Sequence, residues 1–398
     1  MTGKTIQTTN FKTLVKNNIR NYSMFIILAL IMIIFAVITN GVNLNPRNFY
    51  NIFYQYSYVF ILAIGMVMVI IVQGIDLSVG SLVALIGALS AMIYNLGFGM
   101  PVTILAALCM GAIVGAYQGL WVAYGKLPAF IVTLSGMLLF RGLTYRVTNV
   151  TPVIPRDDGY SLISKGTIDE ILNLEKIGPY FPMSFVAAIL LLVIFFIVEF
   201  YARRKKIAND FEVAPKSLFI TKLVLVSLLV LGLADRFARY LGLPVIVLVL
   251  GISIMIFYFI LNNTVLGRFI YAVGGNPRSA KLSGINSELV TFIVFCMMGT
   301  LTGLAAVVYT ARMNTALADA GFMFELDAIA ACYIGGVSAG GGIGSVIGVF
   351  VGGLVMSSIN NGMSLMMLGT HYQYIVKGLV LLLAVFYDVY SRRRAGLG

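Results

Sequence analysis

Histidine occurs once in 398 residues, at His371, tryptophan once and cysteine three times. Acids number only 15 against 27 Lys and Arg, and charged residues make up 11% of the chain. Each scarcity excludes a class of function. With no Cys/His cluster and no H-E-x-x-H, no ligand set for a metal is present. His371 has no convincing catalytic neighbour, so a membrane enzyme is set aside and the chain reads as non-catalytic. It stands beside Tyr372 and Tyr374 near one end of an apolar run, where an interfacial polar residue is the favoured reading over a proton relay. Cys109, Cys296 and Cys332 lie inside hydrophobic stretches without C-x-x-C spacing, as small packing residues do, and imply no disulfide framework. No G-x-x-x-x-G-K-[ST] occurs, so the chain holds no ATP in a Walker A loop. No cofactor is expected.

What the chain has in excess is apolar surface. Hydrophobic residues reach 60% and mean hydropathy is +0.97, where a soluble domain has about 45–50% apolar residues. The bilayer must be the solvent for most of it. The net charge of +12 sits in short basic runs flanking apolar segments. That is the pattern of juxtamembrane cations, not of a nucleic-acid binder.

A membrane crossing takes about 20 mostly apolar residues. The sequence predicts an all-α polytopic membrane protein of about twelve hydrophobic segments: 22–40, 51–73, 77–95, 101–124, 128–147, 182–201, 218–235, 243–262, 289–311, 325–340, 343–361 and 372–390. Segments 77–95 and 325–340 are polar at one end and rich in Gly, as broken or re-entrant helices are. The run Met24–Ile38 has no A-x-A cleavage site after it and reads as a retained first span. The positive-inside rule places both termini in the cytoplasm. Lys4, Lys12, Lys16, Arg20, Lys126, Arg203–Lys206, Lys216, Arg268, Arg278, Lys281 and Arg392–Arg394 then lie inside. Arg47, Arg156, Lys165, Lys176, Arg236, Arg239 and Arg312 lie outside, with a long polar outer loop at 148–181.

Two glycine ladders, Gly111/Gly115/Gly119 and Gly344/Gly348/Gly352, repeat every four residues and so mark one helix face each. Close helix packing is the favoured reading, a rocking pore the other. Two pairs of segments look alike. Gly74–Gly80 resembles Glu325–Ala330 in placing an Asp before an apolar run, and Phe130–Leu134 resembles Tyr374–Gly378. Each copy enters from the opposite side, which makes an inverted repeat. Asp76 and Asp327 are the acids nearest the apolar spans. Charge at membrane depth faces a cavity or a partner, whereas an Asp at a helix start caps it. For Asp76 capping is favoured, because Leu77–Gly80 opens a helix. Asp76, Ser78, Asp327, Asn360 and Asn361 are the candidates for a translocation pathway.

The segment Gly267–Ile285 is the most informative. Asn276 suits an N-cap, Pro277 the first helical position and Gly284 the residue past the end. These bound a cytoplasmic helix of about two turns, preceded by a flexible Gly274-Gly275. A helix that short is marginal in water and should dock on something.

Taken with Gly74–Ser81, Pro128–Gly142, Leu326–Gly353, Asn361-Gly362 and Tyr374–Asp388, this segment resembles the permease subunits of ABC importers for monosaccharides, the ribose, xylose and multiple-sugar branch. The resemblance implies a ten-span core with about two extra spans at 182–235, the whole of 1–398 forming one permease domain. It implies a coupling segment, 263–288, that contacts ATP-binding cassette ATPase subunits through Asn276, Pro277, Arg278, Ala280, Lys281, Ser283 and Gly284. It further implies a second permease copy, an extracytoplasmic sugar-binding protein, a monosaccharide substrate (xylose or several sugars) and alternating access driven by the partner's ATP cycle. Bulky replacements of Ala280 or Ser283 should then uncouple transport. An ion-coupled secondary sugar carrier acting alone is the alternative; sparse intramembrane acids argue against it.

Overall fold

The structure is a computed structural model. It describes residues 11–209, 211, 213 and 215–394, with side chains described for 24–386 and 388–390 of these. Lys4 lies outside the described residues, and of Lys12, Lys16, Arg20 and Arg392–Arg394 only the backbone is described.

The described residues form helices and no extended strand. In chain order these are α1 (Phe11–Ile38), α2 (Pro46–Ile71), α3 (Val79–Asn95), α4 (Met100–Gly119), α5 (Ala129–Thr148), α6 (Leu162–Lys165), α7 (Ile168–Ile171), α8 (Pro182–Ala208), α9 (Lys216–Ala238) and α10 (Val245–Asn263). They continue with α11 (Val265–Gly275), α12 (Pro277–Leu282), α13 (Ser287–Met313), α14 (Phe324–Ile334), α15 (Val346–Leu365) and α16 (Thr370–Arg394). A π-helical turn, Leu120–Tyr124, extends α4.

Each of the twelve predicted segments falls on a helix, but among the described residues nine helices are long and apolar enough to cross a membrane. The apolar stretch of α1 is Met24–Ile38, and α3 has 17 residues. Segment 325–340 yields α14, with 11 residues, or about 16 Å at 1.5 Å per residue. That is half a bilayer core of about 30 Å. Gly335-Gly336 end it.

Packing divides the chain into two units. One comprises described residues 11–23, Leu44–Tyr50 and Thr167–Pro244. Its centre is the antiparallel pair α8 and α9, tied by Lys222 to Glu199 and by the edge-on rings of Phe200 and Phe219. Asp169 is buried here and accepts N–H bonds from Met183 and Leu243, both at 3.0 Å. It thereby satisfies a first-turn donor of α8, as a helix start requires.

The other unit comprises Met24–Asn43, Asn51–Gly166 and Val245–Gly398. At its centre α4 and α13 lie backbone to backbone. A methyl group on Gly111 would run into Gly299 O, one on Gly115 into Phe295 O and one on Gly303 into Ala107 O. The ladder Gly111/Gly115/Gly119 therefore does packing work, as small-residue faces do in membranes. In the second ladder Gly348 and Gly352 meet Gly335 and Ala331 in the same way, letting α15 close on α14, while Gly344 precedes α15 and packs on Ile71. The loop after α5 is not structureless. Val153 and Ala316 pair their backbones, and Tyr160 is fully buried with its hydroxyl 2.7 Å from Ser90 Oγ.

Candidate functional site

The short helix forms as the sequence predicts, and its ends are bounded by the predicted residues. Asn276 is the N-cap and its side chain accepts the N–H of Ser279 at 3.0 Å; Pro277 occupies the first turn. At the other end Gly284 has φ +82. Ile285 N–H reaches Ala280 O at 3.1 Å and Gly284 N–H reaches Lys281 O at 3.0 Å, the paired bonds of a Schellman ending. Only a residue without Cβ takes that φ at no cost.

Two expectations about this segment need correction. Gly274-Gly275 is not a flexible lead-in but the last turn of α11, and Gly274 is buried. A methyl on Gly274 would overlap Ile71 O, and Gln73 Nε2 donates to Gly274 O at 2.8 Å. The glycine is there for close approach to the end of α2. Ala280 is also turned inward, at 4% exposure. The outward face carries Asn276, Pro277, Arg278, Lys281, Ser283 and Gly284, together with Leu282 at 90% exposure. Sequence reasoning missed Leu282. Its signal was a Leu in a six-residue polar helix, three positions from Ser279 and outside the register of Ala280.

A groove of about 520 Å³ adjoins this helix, lined by Tyr124, Lys126, Lys281, Gly284, Ile285, Asn286 and Glu288. Lys281 Nζ lies 2.7 Å from Glu288 Oε1 across it. Lys126 comes from the turn between α4 and α5, so the groove joins two sequence-distant elements.

The pathway candidates are all buried within the chain and fall into separate groups. Asp76 and Ser78 belong together. Asp76 Oδ1 accepts the Ser78 N–H at 2.9 Å and its hydroxyl at 2.7 Å. Gln118 Nε2 donates to Ser78 Oγ at 2.6 Å, and Thr133 Oγ1 donates to Ile75 O at 3.1 Å. Asp76 is thus not the cap itself. The residue preceding α3 is Ser78, whose side chain caps nothing, and Asp76 rigidifies the turn before it.

Asp327 lies in the first turn of α14. Lys377 of α16 puts its Nζ 2.9 Å from the Asp327 carboxylate. The Tyr56 hydroxyl, close to Ser364 of α15, shares this region. Asn360 stands one turn before Ser364, and among the described residues its buried Oδ1 has no hydrogen-bond partner. Asn361 is buried beside it on α15. Lys377 and Gln118 were not singled out from the sequence. A lysine inside the last apolar run requires a partner, and Asp327 was the available acid. No group of three or more His, Cys, Asp or Glu able to hold a metal occurs among the described residues.

Comparison with known proteins agrees with this architecture. The chain is 42% identical over 378 residues to the xylose transport system permease protein XylH of Haemophilus influenzae, covering 95% of this chain and 98% of that one. It is 39% identical over 388 residues to XylH of Escherichia coli K12, covering 97% and 95%. Against the ribose import permease protein RbsC of the same strain, identity is 35% over 366 residues, 92% of each chain. No solved structure matches. The relatives and the nine apolar helices identify a multi-pass inner-membrane protein. Residues 48–385 match the family described as branched-chain amino acid transport system / permease component, and the chain belongs to that family, as a relative of the monosaccharide ABC importer permeases.

Proposed function

We propose that this chain is the membrane-spanning subunit of an ATP-driven monosaccharide importer, with xylose the first substrate to test. The observation that carries the reading is the likeness to XylH across 95% of the chain. In this reading ATP is hydrolysed by separate ATP-binding cassette subunits, sugar arrives from an extracytoplasmic binding protein, and both termini lie in the cytoplasm.

The docking role belongs to α12. A capped helix of six residues presenting Leu282 and Arg278 outward next to an open groove has surface for a partner. Ala280 anchors it from behind. Asn276, Pro277, Ser283 and Gly284 set its ends, and Lys281 is held by Glu288.

The inverted repeat gains support from the polar contacts. The stretch before α3 carries Asp76 and is met by Thr133 of α5, whereas Asp327 of α14 is met by Lys377 of α16. Thr133 and Lys377 occupy matching positions of the similar segments Phe130–Leu134 and Tyr374–Gly378. The same two helices argue for a second permease copy. α5 and α16 are among the least apolar of the nine long helices, yet both bury little within the chain. Lipid is a poor neighbour for Ser135, Arg146, Gln373 and Tyr372, which the chain leaves exposed or half-buried; a second copy enclosing a polar pathway is a better one. As that pathway opens, Asn360 Oδ1 is available to accept a sugar hydroxyl.

Co-reconstitution tests the whole reading. The chain in liposomes with its ATPase and binding protein should accumulate xylose only with ATP. Leu282→Asp with Arg278→Glu should leave the chain in the membrane but lose both ATPase binding and uptake. Accumulation by the chain alone under an ion gradient would favour the carrier instead, and full uptake by the double variant would remove the docking role of α12.

A further inference from the structure

The α8–α9 pair leaves most of its apolar surface uncovered by the chain: 17% and 6% of their most apolar windows are buried. One end of this pair is strongly basic. Arg203, Arg204, Lys205 and Lys206 close α8, and Lys216 opens α9. Over 199–222 the sequence has six basic residues against three acidic ones.

The described contacts sort these cations into two sets. Lys222 is paired with Glu199, and the Arg203 guanidinium lies 4.6 Å from the Phe219 ring centre. Arg204, Lys205, Lys206 and Lys216 are exposed, with no carboxylate partner among the described residues. Asp210 and Glu212 lie outside the described residues. Beside the cations stand exposed aromatic side chains, Tyr201 at 69% and Phe211 at 65%. Aromatic rings settle at the headgroup level of a bilayer. Cations one turn beyond Tyr201 therefore stand where lipid phosphates are.

We propose that this end of the α8–α9 pair is a binding site for anionic phospholipid headgroups. The bare apolar stems of the two helices contact the acyl chains, and Arg204, Lys205, Lys206 and Lys216 reach headgroup phosphates around the end of the pair. Attraction of this kind multiplies roughly fivefold per cation near the surface, so it selects anionic over zwitterionic lipid without a shaped pocket. The site is built only from residues of the α8–α9 pair.

Native mass spectrometry of the purified full-length chain, delipidated and then titrated with phosphatidylglycerol or phosphatidylcholine, tests it. Wild type should retain phosphatidylglycerol at least tenfold more strongly than phosphatidylcholine. Neutralising Arg204, Lys205, Lys206 and Lys216 to Gln should abolish that preference. Neutralising Arg236 and Arg239, at the far end of α9, should not change it, and a variant exchanging Arg204 for Lys should behave as wild type, which controls for folding. Equal retention of the two lipids by wild type, or an unchanged preference in the fourfold variant, overturns the proposal. So does a preference lost equally on neutralising Arg236 and Arg239, which would show bulk charge only. If the fourfold variant keeps its lipids but loses its ATPase, the basic end serves a protein and the lipid site is refuted.

Discussion

The Asp327–Lys377 pair allows the sharpest calculation. The two side chains are 5% and 18% exposed and 2.9 Å apart. Lys377→Met strands a buried carboxylate, and breaking a buried pair by removing one partner costs about 3–5 kcal/mol. Asp327→Asn is milder, at about 1–3 kcal/mol, because the flexible lysine stem can carry its ammonium toward water. Replacing both partners together should cost about 0–1 kcal/mol, since an apolar or neutral pair needs no desolvation of charge. An unfolding entropy of about 2.1 cal/mol/K per residue, summed over the chain, turns 3–5 kcal/mol into roughly 4–6 °C of midpoint. The assay is thermal unfolding of the purified chain in detergent at one fixed scan rate, which keeps the variants comparable whether or not unfolding is reversible. The order expected is Lys377→Met lowest, Asp327→Asn between, and the double variant close to wild type. A double variant that falls by the sum of the singles would refute the reasoning, since a shared interaction must give non-additivity.

Three further outcomes follow from the packing and the loops. Gly111→Leu should prevent α4 from closing on α13, with loss of folded chain in a size-exclusion profile, whereas Gly251→Leu, where a Cβ meets nothing within 4 Å, should be silent. Asn360→Leu removes a buried acceptor lacking a partner, so it should unfold no earlier than wild type while xylose uptake falls several-fold; a variant less stable than wild type would show that Asn360 is structural. The Tyr94 hydroxyl, with the Gly159 N–H and Arg156, holds the Asp157 carboxyl below its usual range. A depressed acid contributes its stabilisation above its unfolded value of about 3.9 and loses it as pH falls through the folded value. The loop at Asp157 should therefore show constant hydrogen-exchange protection from pH 7 to about pH 4 and lose it only below, and Asp157→Asn should flatten that loss.

Helix positions were legible because apolar runs of fixed length leave the bilayer few alternatives, and the ends of α12 were legible because Asn276, Pro277 and Gly284 each act on their own neighbours. What the sequence hid is direction. Ala280 and Leu282 both sit in the same short helix, and nothing local says which faces the chain. Gly274-Gly275 has the composition of a hinge, but the close approach of Ile71 makes Gly274 a packing residue. That contact joins positions some 200 residues apart. The pairing of Asp327 with Lys377 was half visible. Each is a charge in an apolar run that needs a counter-charge, but only the fold shows that the two runs meet.

The larger difficulty is that in a membrane the hydrophobic pattern does not separate core from surface. In water an apolar face points inward. Here α2 buries 83% of its apolar window and α9 only 6%, although both are strongly apolar, because lipid is as acceptable a neighbour as leucine. The separating signal is side-chain size and polarity. α4 and α13 meet through Gly111, Gly115, Gly299 and Gly303, whereas α8 and α9 have bulky Leu, Ile and Phe on all sides and little to pack closely with. Polar residues then mark the remaining class. Gln373 and Tyr372 on α16 and Ser135 and Arg146 on α5 suit neither lipid nor a glycine seam. A helix that is too polar for lipid and too exposed for the core must find its cover outside the chain, and that places α5 and α16, not the glycine-lined helices, where sugar and a second copy should be sought.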